Sequence, residues 1–192
     1  GDGTQCMLLV LDEGSVELVD ATMSIVERCC ESGDATSMDD ALVEAWMGHR
    51  NDTSALQGLT RKGFVVDTME IAAPWSKLDR LFDDVRAAMM DVPHARAATC
   101  HLSHSYADGA CLYFTFAATP PHDEIESTYV ALWDAGQRSV LAGGGNLSHH
   151  HGVGLNRGRF MAEALGSAHG VLIAIKSTLD PNGIMNPGKL GI

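Results

Sequence analysis

Two strand-like runs, 94–106 and 110–118, flank Asp108-Gly109, and this arrangement constrains the fold more than any other feature of the chain. Asp-Gly between apolar runs is a hairpin signal, because both residues tolerate the backbone conformations of a tight antiparallel turn. A third run, 63–72, puts Val65, Asp67, Met69 and Ile71 on one face, so a carboxylate falls on an otherwise apolar surface. Around these runs apolar residues recur at helical spacing. The pattern predicts a helix over 15–31, with Val16, Val19, Met23, Val26 and Cys30 on one side, and another over 122–141, ending at three glycines. Ser37 with Asp40, and Ser76 with Asp79, read as capping boxes for helices over 37–47 and 76–90. Segment 5–11 (QCMLLVL) reads as a buried strand, while 51–60 is polar and ambiguous.

The order strand–helix–helix–strand–helix–hairpin–helix implies an α+β fold, with an antiparallel or mixed sheet and helices packed on one face. No internal repeat or low-complexity linker interrupts it. The chain reads as one compact unit with a looped C-terminal extension, and its abrupt start on a core-like strand suggests a piece of something longer.

Charge narrows the function. Thirteen basic residues against 25 acidic ones give a net charge of −12, which repels nucleic acid and anionic membrane surfaces, and no Lys/Arg cluster overrides it. No apolar run approaches the roughly 20 residues of a transmembrane helix. The five cysteines form no C-x-x-C pair, and most sit among apolar neighbours as small hydrophobes, so a reduced, cytoplasmic protein is expected.

The chemistry concentrates in 143–154, GGGNLSHHHGVG. Glycines at this density cost conformational entropy, and close backbone approach to a ligand would justify them. His149, His150 and His151 titrate near neutral pH and can act as general acids or bases. No metal is expected: adjacent histidines point in different directions, and no H-x-x-x-H or C-x-x-C spacing completes a shell. Nor is this a dinucleotide fingerprint, since it follows a helix and lacks a βαβ unit. Tyr113 stands at the centre of an apolar strand, where a core residue with a hydrogen-bonded hydroxyl is the ordinary reading. His101 and His104 precede it on the partner strand and read equally as surface or pocket residues; they alternate out of phase, so they do not share a face. Segment 180–190, DPNGIMNPGKL, holds two turns in close succession, and such a tail orders only by docking onto something.

Together these segments resemble the C-terminal half of FAD-linked oxidases of the vanillyl-alcohol-oxidase type. DPNGIMNPGKL is similar to the closing motif of D-lactate dehydrogenases, glycolate oxidase subunits and alkyldihydroxyacetonephosphate synthases. SHHHGVG at 148–154, APW at 73–75 and DGACLYF at 108–114 are most similar to the synthases. The resemblance implies a ferredoxin-like cap over the substrate (1–142) and a C-terminal segment returning to the flavin (143–192), with the main FAD-binding domain outside this chain. It implies a catalytic role for Tyr113, His149, His150 and His151, and contact with FAD for His150 and Asn186. One departure stands out. An arginine that the synthases and many relatives carry falls at Leu56, with Arg50 and Arg61 as candidate replacements.

The expected function is hydride transfer from a hydroxy acid or alcohol to FAD. Synthase-like alkyl exchange on FAD and a non-catalytic binding domain are the alternatives. The expected partners are a small-molecule substrate and the protein's own N-terminal FAD-binding domain, with no nucleic acid and no transmembrane segment; a homodimer is compatible with this reading.

Overall fold

The computed structural model describes residues 7–52 and 54–192. The chain divides into two compact units, one ending at Ser54 and one running from Ala55 to Ile192. The first contains α1 (Val16–Ser32) and α2 (Ala41–His49). Helix α2 starts at Ala41 rather than near Ser37: the Asp39 carboxylate accepts from the Ala41 N–H at 2.9 Å, so an aspartate rather than Ser37 serves its first turn. The strand expected over 5–11 is not formed where the structure describes it. Residues 7–11 lack regular structure, with Met7 and Leu8 exposed, and Gln5 and Cys6 lie outside the described residues. An apolar run becomes a strand only when a neighbour supplies the ladder bonds, and no described strand pairs with it.

Helix α3 (Ser54–Thr60) begins at the last residue of the first unit and otherwise belongs to the second; it makes most of the ambiguous polar stretch helical. Then come β1 (Val65–Pro74), α4 (Trp75–Met90), β2 (Ala95–Ser103), β3 (Gly109–Ala118) and α5 (Ile125–Ala142). The three strands pair antiparallel in the order β1-β3-β2. Beyond α5, Asn146 forms a single antiparallel bridge with Ala72 on the free edge of β1. The sequence of elements is therefore that of a ferredoxin-like β-α-β-β-α-β unit, its last strand shortened to one residue pair. The expected α+β, ferredoxin-like sheet with helices on one face is what forms.

Strand and helix bounds depart from expectation in instructive places. The chain does not reverse at Asp108-Gly109 but over 104–108, where His104 takes a left-handed φ of 50° and the Tyr106 N–H donates to Gly109 O at 2.8 Å. Gly109 serves close packing instead, because a Cβ there would collide with the Ala73 carbonyl oxygen of β1. Helix α4 begins at Trp75 straight after Pro74, without the side-chain cap expected from Ser76.

The core lies between the sheet and two helices. Met69, Ile71, Leu112, Phe114 and Phe116 pack against Leu78, Leu81, Val85 and Met89 of α4 and Leu132, Trp133 and Val140 of α5. Each such side chain, fully buried, stabilises the fold by about 1.5–3 kcal/mol. Asp67 does fall on this apolar face, where Tyr129 Oη and Trp133 Nε1 of α5 donate to its carboxylate at 2.9 and 3.0 Å. A half-buried carboxylate thus pins a helix to the sheet.

The C-terminal extension is not simply looped. It holds α6 (Met161–Leu165) and α7 (Ser167–Leu179), and Phe160 and Met161 form a smaller core with Leu147. Gly170 and the β-branched Val171, Ile173 and Ile175 weigh against helix on propensity alone, which hides α7 in the sequence. Past α7, the Asp180 carboxylate accepts from the backbone N–H groups of Ile184 and Met185 and pairs with Lys176, so the terminal turn folds around one side chain.

Candidate active site

The face of the sheet turned away from α4 and α5 carries Thr68 and Glu70 from β1, Cys111 and Tyr113 from β3, and His101 from β2. Glu70, Tyr113 and His101 stand in register across the three strands. After α5 the chain is led onto this face in fixed steps. The bridge to Ala72 sets Asn146, and the buried Gln137 donates from Nε2 to Leu147 O at 3.2 Å. Residues 148–151 then fold over Glu70.

Glu70 is completely buried and collects the loop. Its Oε1 accepts from Ser148 Oγ at 2.5 Å and from the backbone N–H groups of His149, His150 and His151 at 2.9, 3.1 and 2.9 Å. Its Oε2 accepts from the His149 N–H at 2.7 Å and from Cys111 Sγ at 3.6 Å. Burial by itself pushes the carboxyl up, but Ser148 and the three backbone donors outweigh it and hold it at about 2. At the far end of the loop the buried Arg157 donates from Nη1 to Gly152 O at 3.0 Å, its guanidinium 4.9 Å from the Trp133 ring.

Thus held, the loop presents its imidazoles to a set of polar side chains. His149 Nε2 is hydrogen-bonded to Tyr106 Oη at 3.1 Å, and its Nδ1 faces His150 Nδ1 at 3.2 Å. The His104 ring stacks obliquely on those of His149 and His150, with centroids 5.2 and 4.7 Å away. His151 meets Tyr113 edge-on at 5.3 Å, while Tyr113 Oη donates to Thr68 Oγ1 at 3.1 Å. Burial pushes the His151 imidazole below its ordinary value, against the opposing pull of Glu70, so at neutral pH it is a neutral base. The Cys111 thiol is pushed up, first by burial and also by Glu70.

Tyr113, His149, His150 and His151 are therefore brought together. Tyr113 is both half-buried and hydrogen-bonded, as its strand position suggests, and open to the histidine loop. Asn186 is not among them: it is exposed in the C-terminal turn at a left-handed φ of 47°, and no described hydrogen bond or ring contact joins it to the loop. Leu56 lies in α3, and the Arg50 guanidinium sits 5.3 Å over Trp46 of its own unit.

Several site residues escape sequence reasoning. Glu70 alternates with the apolar residues of β1, which reads as a solvent-facing position. Tyr106 and Cys111 converge with the loop only through the hairpin, which also brings His104, open between surface and pocket in the sequence, against His149 and His150. One ligand atom from each of His104, Cys111, His149 and His150 lies within 4.8 Å of the others, a nitrogen-and-sulfur set of the kind that suits zinc or copper. Spacing along the chain does not reveal it. For a flat cofactor the relevant feature is the empty space beside the loop. Gly152 and Gly154 take left-handed φ of 74° and 59°, and a Cβ on either would meet nothing within 4 Å, leaving a bare surface next to the imidazoles. A cavity of about 460 Å³, lined by Ala72, Leu141, Ser148, His149, Val153 and Leu165, adjoins it.

Comparison with known proteins matches residues 1–190 to the family of FAD linked oxidases, C-terminal domain. The chain is 29% identical to an uncharacterized FAD-linked oxidoreductase, YgcU, of Escherichia coli O157:H7, over 98% of this chain and 44% of that protein. It is also 29% identical to the alkyldihydroxyacetonephosphate synthase of Dictyostelium discoideum, over 96% of this chain and 31% of the relative. A solved alkyldihydroxyacetonephosphate synthase shares the fold, with a TM-score of 0.58 at 23% identity over 91% of this chain and 30% of that structure. The chain thus spans less than half the length of these relatives. No described helix is long and apolar enough to cross a membrane.

Proposed function

Because this chain belongs to the family of FAD-linked oxidase C-terminal domains, with FAD as its cofactor, we propose that it forms the substrate side of an oxidoreductase acting on a hydroxy acid or alcohol. The observation that carries this reading is the convergence of a phenol and several imidazoles on one sheet face beside a surface free of side chains. Oxidising an alcohol to a carbonyl removes a hydride from carbon and a proton from oxygen. Bound FAD supplies the hydride acceptor. The proton is the work of this chain: Tyr113, in ring contact with His151, gives its phenolic proton to that imidazole as it takes the substrate hydroxyl's, so His151 is the final acceptor. His149, held by Tyr106, orients the substrate oxygen, and His150 and Asn186 are assigned to FAD contact on the family resemblance alone. The companion FAD-binding domain belongs to the remaining length that the relatives have.

A second reading is favoured by the SHHHGVG run itself: an exchange of acyl for alkyl chain on FAD, without net oxidation, as the resemblance to the synthases implies. The two separate in one experiment. The visible spectrum of the full-length protein is recorded anaerobically before and after a panel of D-2-hydroxy acids. Bleaching of the flavin bands supports oxidation and identifies the substrate class. Flavin that stays oxidised throughout shifts the assignment to alkyl exchange, and a protein purified without flavin leaves a non-catalytic binding domain. Under either enzymatic reading, replacing Tyr113 with Phe lowers turnover by about 100-fold or more, the usual scale for losing a general acid–base group; unchanged turnover would remove Tyr113 from the mechanism.

A further inference from the structure

Four donors from four consecutive residues, Ser148 Oγ and the N–H groups of His149, His150 and His151, converge on one carboxylate that belongs to a different element. Successive backbone N–H groups aimed at one point form an anion-binding concavity of the kind that ordinarily receives a phosphate or another free anion. Here the anion is covalently part of β1. We propose that Glu70 is the positioning residue of the site, fixing the backbone of 148–151 so that the three imidazoles stand over Tyr113 and Cys111. The inference rests on the proposed role of those histidines but makes its own structural claim.

Three observations support it. The flanks of the loop are secured by other groups: the Asn146–Ala72 bridge and Gln137 before it, Arg157 after it. Between those points, Glu70 is the acceptor for every backbone N–H bond that the structure shows for 149–151. Next, a wholly buried carboxylate is a poor choice for stability alone, since well-packed apolar residues commonly do as well. It holds an advantage where direction matters, because each donor must point at the same two oxygens. Finally, Glu70 also touches the neighbouring strand through Cys111 Sγ, so one side chain references both loop and strand β3.

Neither obvious substitution reproduces this. A Gln at 70 turns an –NH₂ toward N–H donors, while an Asp keeps the charge on a side chain one methylene shorter. The experiment uses the full-length, flavin-loaded protein and two readouts. Backbone hydrogen exchange of 148–151 reports the loop without reference to activity, and steady-state kinetics report its consequence. In Glu70→Gln, amides 149–151 exchange about 100-fold faster while β3 keeps its protection, and kcat falls about 100-fold with KM within about threefold. Glu70→Asp recovers about tenfold of that kcat. Ser148→Ala, which removes one donor and leaves the strand untouched, speeds exchange at the same amides about tenfold even if Glu70→Gln does not fold. Loop amides that keep wild-type protection in either variant, or a released loop with unchanged kcat, overturn the proposal. If no substrate bleaches the flavin, the proposed reaction fails while the exchange data still decide the role of Glu70.

Discussion

Strand β1 carries two carboxylates on opposite faces, and they do different work. Asp67 faces the helices and accepts from a phenol and an indole of α5; Glu70 faces the histidine loop and accepts from a hydroxyl and a row of backbone amides. One ties rigid element to rigid element through side chains. The other gives shape to a segment that has no secondary structure of its own. Glu70 is fully buried and Asp67 only half-buried, and the donors differ in origin as well: side chains of a helix in one case, the main chain of a loop in the other.

The comparison is tested first at the apolar core that both faces depend on. Phe114 is fully buried under α4 and α5, and Phe114→Ala should lower the opening free energy of the sheet by about 3–5 kcal/mol, read from hydrogen exchange across β1 and β3. A loss below about 1 kcal/mol would mean that the helix face is not the main source of cohesion.

The second test is acid. Glu70 sits at about 2 in the folded chain against an ordinary 4.5, so its contribution is fully present above the ordinary value and disappears as pH falls from there toward 2. The shift is worth on the order of 3 kcal/mol, and Glu70→Gln should lack that portion of the wild-type decline in loop protection. Coincident pH profiles of the two proteins would show that the loop does not depend on this charge.

The third and smallest effect belongs to Asp67. Asp67→Asn keeps an acceptor but removes the charge, for an expected cost of about 1–2 kcal/mol. Tyr129, which burial foremost and then Asp67 push up to about 12, should titrate lower in an ultraviolet absorbance titration. Turnover should change far less than for Glu70→Gln; an equal loss would abolish the distinction between the faces.

How much of this the sequence reveals follows the same division. Alternating apolar residues mark β1, β2 and β3, and Asp67 is visible as an anomaly because it interrupts an apolar face. Tyr113 and the three histidines are found by composition and by family resemblance. Glu70 is invisible to the same reasoning: a charged residue in the polar phase of a strand looks ordinary until a loop distant in sequence covers it. The turn at 104–108 is misplaced by its Asp-Gly signal because Gly109 is needed for contact with β1 rather than for reversal. Helix α7 is missed because Gly170 and its β-branched residues disfavour helix on propensity.

The single pair that stands in for a fourth strand has a consequence for how such a chain can change over time. Asn146 is the last point at which the main chain is indexed to the sheet before the histidines. Insertions near the hairpin tip, 104–108, or after the terminal turn leave that indexing intact. One residue gained or lost between Asn146 and His151 would offset the whole series of amides from the carboxylate that receives them. Length, more than composition, is therefore what evolution is least free to alter in this part of the molecule, and the tolerance of related chains to gaps there is a record of whether the same indexing operates in them.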